Sequence, residues 1–131
     1  TTTGGDTNEV AGLTLTAATN ASNGYSISVT GNTLESTNGY NVDAIGGTAS
    51  ALTTGELFGL RTNVTSGTGT ESTPFDGSNY AFTAATVQEL VSATGPANTT
   101  EIDVYYGANI TATTQSADYA ATHTYVMTGN F

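Results

Sequence analysis

The chain has 131 residues, of which 11 are Asp or Glu and only one, Arg61, is a Lys or Arg, so its formal net charge is −10. A surface of that sign repels phosphate backbones and anionic lipid, which argues against nucleic acid as a partner. The chain has no cysteine, so disulfide staples are excluded too. Hydrophobic residues make up 37% and charged residues 9%, so the polar bulk is neutral Thr, Ser, Asn and Gly. Disordered chains are usually charge-rich, whereas β-branched Thr suits a half-buried pleated surface. The length suits one domain with a thin core.

The opening Thr1-Thr2-Thr3-Gly4-Gly5 lacks methionine and any signal-like apolar stretch. It reads as the start of an exported, processed chain, and residues 1–12 read as an arm that a partner would hold in place. The domain proper is expected over residues 13–131.

Period-two alternation then dominates. Leu13, Leu15 and Ala17 alternate with threonines, and Tyr25, Ile27 and Val29 alternate with Ser26, Ser28 and Thr30 after a polar turn at 19–23. The two runs are predicted to form a hairpin. Asn38-Gly39 marks a second turn before Tyr40, Val42 and Ala44. Residues 56–63, with Leu57, Phe58 and Leu60, predict another strand, and residues 64–78 a long loop. Tyr80 and Phe82 open a short strand. Residues 86–93 fit a helical turn as well as a strand. Ile102, Val104 and Tyr106 alternate cleanly, and the run 119–127 puts Tyr119, Ala121, His123, Tyr125 and Met127 on one face. About eight short antiparallel strands predict an all-β immunoglobulin-like or jelly-roll-type β-sandwich, with a closed barrel as the alternative.

The segment Thr14–Gly31 (TLTAATNASNGYSISVTG), with Asp43–Gly47, Gly55–Leu60, Gly77–Phe82, Ile102–Ile110 and Thr122–Phe131 following in order, resembles secreted surface β-sandwich proteins of candidate-phyla (Patescibacteria-type) bacteria. These motifs are turn-and-strand signatures, specific for fold and weak for function. Two departures stand out. Such modules usually carry a further strand before the Leu13 region, and His123 stands where an aliphatic residue is more usual. The resemblance therefore implies a sandwich short of one strand. Its exposed edges could be filled by a neighbour's extension, as in donor-strand pili and biofilm fibres.

Candidate chemistry is sparse. His123 is the single histidine, and no serine sits in a nucleophile-elbow pattern, so no enzymatic activity and no catalytic residue are expected. Glu101 and Asp103 share a sheet face, and Asp6 and Glu9 lie close in sequence, but paired glycosidase carboxylates would lack tryptophan platforms. Asp76, in Phe75-Asp76-Gly77-Ser78-Asn79, is a weak Ca2+ candidate without a complete loop pattern, and no cofactor is expected. Asn20, Asn63, Asn98 and Asn109 begin N-glycosylation sequons. Of the adjacent Tyr105 and Tyr106, one must point outward from a strand.

With no lysine, Lys–Asn isopeptide crosslinks and lysine-mediated sortase polymerisation are chemically impossible. The expectation is a structural subunit of an extracellular filament, pilus-like fibre or surface layer, a head-to-tail homopolymer joined by strand complementation. Val10, Leu13, Tyr105, Tyr125 and Phe131 are the interface candidates. The donor would be residues 1–13, with Tyr119–Phe131 competing. The alternative is a cell-surface adhesin or carbohydrate-binding module that takes surface glycans.

Overall fold

Alternating Thr and aliphatic residues favour extended backbone, and in the computed structural model, which describes residues 6–131, the described residues form twelve strands and no helix. In chain order these are β1 (Asp6–Thr19), β2 (Tyr25–Gly31), β3 (Leu34–Ser36), β4 (Asn41–Ala44), β5 (Gly46–Ser50) and β6 (Leu57–Ser66). They continue with β7 (Thr70–Glu71), β8 (Tyr80–Phe82), β9 (Gln88–Ala93), β10 (Ala97–Ile110), β11 (Tyr119–Ala120) and β12 (His123–Gly129).

The strands form two sheets. One runs β1-β10-β6-β4-β3-β11, with β8 also pairing β6 and β5 pairing β8; the other runs β12-β2-β9-β7. Every pairing is antiparallel except β4 on β6. The strand number exceeds the expected eight because short strands such as β7 form inside stretches that read as loops and because the 119–127 run divides into β11 and β12.

Tyr25, Ile27 and Val29 of β2 and Leu90, Val91 and Ala93 of β9 join Phe58, Leu60, Ile102 and Val104 of the larger sheet in one buried cluster. Alternation sets this up: along β2 each second residue is buried. The ambiguous 86–93 segment resolves as β9, because a strand delivers Leu90, Val91 and Ala93 to that cluster.

Two expectations need correction. The Leu13–Thr30 hairpin does not form: β1 pairs β10 and β2 pairs β12 and β9, so the intervening turn is a corner between sheets. Ala21 is fully buried there, and Gly24 takes a φ of +81°. Asn23 N–H donates to the Asn130 carbonyl, and Asn130 N–H donates to that of Gly24, both at 2.9 Å. The corner is thus tied to the far end of β12 instead of to β1.

Residues 64–78 are not one long loop. β6 runs on to Ser66, β7 joins the small sheet, and Phe75 is 1% exposed, its carbonyl accepting the Thr62 N–H at 3.1 Å. An aromatic anchor with a paired backbone explains why this Gly- and Thr-rich stretch packs.

Across the expected 12/13 boundary the chain belongs to one strand, whose register on β10 shifts at Gly12. Residues 6–12 continue as β1, and the register of β1 on β10 runs from Asp6↔Ile110 to Thr19↔Ala97. The first five residues of the expected arm lie outside the described residues.

Candidate functional site

Both sheets end at strands that, among the described residues, pair on one side only: β1 at the margin of the large sheet and β12 at that of the small one. Cross-strand partners share a sheet face, so the register identifies which side chains look inward along this margin. Val10 lies opposite Tyr106, and Leu13 opposite Val104; on β12, Tyr125 lies opposite Val29 and Met127 opposite Ile27. Val10 is nevertheless 62% exposed and Met127 41%. Apolar side chains on the core face are therefore left wet, as they would be beside an unfilled seam.

Between these strands lies a cleft of about 420 Å³, lined mainly by Leu13, Phe58, Tyr106, Tyr119, His123 and Tyr125. The His123 ring centroid lies 4.9 Å from that of Phe82, 5.4 Å from Tyr106 and 5.6 Å from Phe58. Its hydrogen bonds fix the tautomer. Nε2 lies 3.0 Å from the Asn32 carbonyl, which can only accept, so Nε2 carries the proton. Nδ1 then accepts from the Tyr106 hydroxyl at 3.3 Å. With its proton committed, the Tyr106 oxygen accepts from the Tyr125 hydroxyl in a short contact.

The result is a directional chain from Tyr125 through Tyr106 and His123 to the Asn32 carbonyl. Burial holds the imidazole below its ordinary value, against the opposing pull of the Asn32 carbonyl. Burial also raises both phenols, Tyr125 by far the more, since its bond to Tyr106 favours the neutral donor. Neither serine nor carboxylate lines the cleft.

A second cluster occupies the opposite face of the large sheet. Arg61 on β6 lies across from Tyr105 on β10, and Ala11 of β1 continues the row. The guanidinium carbon stands 4.1 Å from the Tyr105 ring centroid. Nε and an Nη of Arg61 reach the two oxygens of Glu9 at 2.8 and 2.9 Å, a bidentate pair, and the Tyr80 hydroxyl also donates to Glu9. The Arg61 bond holds the Glu9 carboxyl below its usual range despite partial burial, and Glu9 raises Arg61 in turn. Tyr80 is raised, first by burial.

The expected interface residues separate accordingly. Leu13 and Tyr125 line the cleft and Val10 flanks it, whereas Tyr105 is on the far face beneath Arg61. Tyr105 and Tyr106 do point to opposite faces, but the outward one is already engaged. Phe131 is 89% exposed, beyond the other end of β12. Asp76 is exposed and accepts from Thr73 Oγ1 at 2.9 Å. Among the described residues no group of three His, Cys, Asp or Glu side chains is placed to hold a metal.

Of the sequon asparagines, Asn20, Asn63 and Asn98 are exposed. Asn109 is 1% exposed and its amide donates to the Gly55 carbonyl at 2.6 Å, so the folded chain offers no acceptor there. Sequence reasoning passed over Phe58, Leu34 and Tyr106 as cleft residues and missed the partners of Arg61. The lone cation was the available signal, because in so acidic a chain it had to meet a carboxylate.

No protein-family model, curated protein or solved structure matches the chain.

Proposed function

We propose that this chain is a structural subunit of an extracellular filament, pilus-like fibre or surface layer whose copies join non-covalently through β-strand pairing. The two sheets are read as the halves of an immunoglobulin-like or jelly-roll-type β-sandwich, since their inward faces share one buried cluster. The resemblance to secreted surface sandwich proteins supports export to the cell surface.

The observation that carries the reading is the β1/β12 margin. Among the described residues, two strand edges carry unpaired backbone groups and flank a cleft beside which core-facing Val10 and Met127 remain exposed. Open edges of this kind template pairing with another chain, and a second copy presents strands of the same alternation. A chain of net charge −10 repels its own copies over most of its surface, whereas the residues lining the cleft carry no carboxylate. That uncharged cleft is where two copies approach at least electrostatic cost.

The test is negative-stain imaging of the purified chain over a range of concentrations, beside Met127→Lys. Repeating fibres or sheets that the substitution abolishes support the reading. A wild-type chain that stays monomeric at every concentration overturns it.

The aromatic lining of the cleft favours one other reading, a surface adhesin or carbohydrate-binding module, with Tyr106, Tyr119 and Tyr125 offering ring faces and hydroxyls to a sugar. A glycan array distinguishes it: hits that Tyr125→Ala removes would support this second reading.

A further inference from the structure

Strand β1 is two segments joined at Gly12. The register on β10 shifts between Ala11 and Leu13, an irregularity that bends a strand and interrupts its ladder. Gly12 itself tolerates no side chain in this arrangement, because a Cβ there would lie 2.1 Å from the Tyr106 ring. The segments differ in what they bury. Past the glycine, Leu13 and Leu15 pack against the core and Ala17 belongs to it. Before it, Glu9, Val10 and Ala11 are all exposed.

Residues 6–11 are therefore held by their ladder to Tyr105–Ile110 of β10 and by the contacts of Glu9 with Arg61 and Tyr80. Segments with few buried apolar contacts open locally at a small fraction of the global unfolding free energy. This one ends at a residue with the backbone freedom to act as a hinge.

We propose that residues 6–11 exchange between copies, leaving their own β10 and pairing with residues 105–110 of β10 in a second copy. This rests on the reading that copies join through strand pairing, and it identifies the strand that moves. The exchanged contact reproduces the ladder and register of the closed chain, so it needs no new surface. Its recognition group is also specified. Arg61 is the only Lys or Arg in the chain, so an incoming segment finds one matching cation for Glu9, with Tyr80 beside it, on a molecule that otherwise repels it. Each copy donates one segment and accepts one, a heterologous contact that runs on unless its rotation closes. The paired arm of an isolated copy is then the closed form of the same contact.

The experiment uses two full-length chains, one carrying Glu9→Arg and the other Arg61→Glu. In each alone, position 9 meets a like charge at position 61, whether the segment pairs in its own copy or in another. Mixed, the introduced arginine of the first chain meets the introduced glutamate of the second, and the unchanged Glu9 and Arg61 meet in the opposite direction. The expected result is monomers separately and hetero-complexes of equal stoichiometry on mixing, read by native mass spectrometry. A mixture that remains monomeric overturns the proposal.

Hydrogen exchange on the wild-type chain tests it without any substitution. Amides of residues 6–11 are expected to exchange roughly tenfold or more faster than those of residues 13–19; equal protection of the two segments also overturns it. Absence of wild-type fibres counts against the filament reading, whereas failure of the mixed pair counts against exchange.

Discussion

The Tyr125 hydroxyl donates to that of Tyr106, and the direction of this bond follows from a carbonyl at the other end of the chain. Because the Asn32 carbonyl takes the His123 Nε2 proton, Tyr106 must give its own proton to Nδ1, and its oxygen is left to accept. Tyr125→Phe thus removes a donor while leaving its acceptor in place. An expected loss of about 1 kcal/mol, read from the urea midpoint, checks this. Tyr106→Phe breaks two links and should cost more.

His123 predicts an acid-side loss of stability. Its folded pKa lies below the ordinary value of 6.5, so the unfolded chain takes up the proton first. The contribution of the neutral ring is complete above about pH 6.5 and declines as pH falls from there toward the folded pKa. Urea midpoints measured between about pH 5 and 8 should slope accordingly, and His123→Phe should flatten that slope.

Glu9 acts at lower pH. Arg61 depresses its carboxyl pKa from 4.5, so the pairing contributes fully above that value and is lost as pH falls through the folded one. Exchange of the residue 6–11 amides, corrected for intrinsic rate, should accelerate on this descent. Glu9→Gln should give fast exchange with little further pH dependence.

Two glycines separate backbone strain from collision. Gly24 and Gly39 have φ of +81° and +82°, but a Cβ on Gly24 would stand 1.9 Å from the Ala93 carbonyl oxygen, whereas Gly39 has nothing within 4 Å. Gly39→Ala should cost about 1 kcal/mol, the conformational penalty alone. Gly24→Ala should cost about 3 kcal/mol or more, because the sheet-to-sheet corner must also shift. Thermal or urea denaturation of the two variants makes the comparison.

Strand positions were legible because alternation is local. Tyr25, Ile27 and Val29, and again Ile102 and Val104, each share a sheet face by period two, and all five are buried. Partnership was not legible, because it depends on contacts distant in sequence. The polar turn at 19–23 reads like a hairpin until buried Ala21 and the Asn130 bonds show that it joins two sheets. Asn109 illustrates the same limit at the site level. Its sequon is a three-residue pattern, whereas its buried amide is held by the Gly55 carbonyl, 54 positions away. Leu13 and Tyr125 were named as interface residues, but the cleft between them needs Phe58 and Leu34 from strands that carried no such signal.

The corner at residues 19–24 also sets how the fold carries tension. β12 runs antiparallel to β2, so its Gly129 end stands opposite Tyr25 beside the corner, which β1 reaches at Thr19. A pull on the Gly129 end directed along β12 slides that strand over β2. The hydrogen bonds of that ladder then share the force instead of opening one after another from an end.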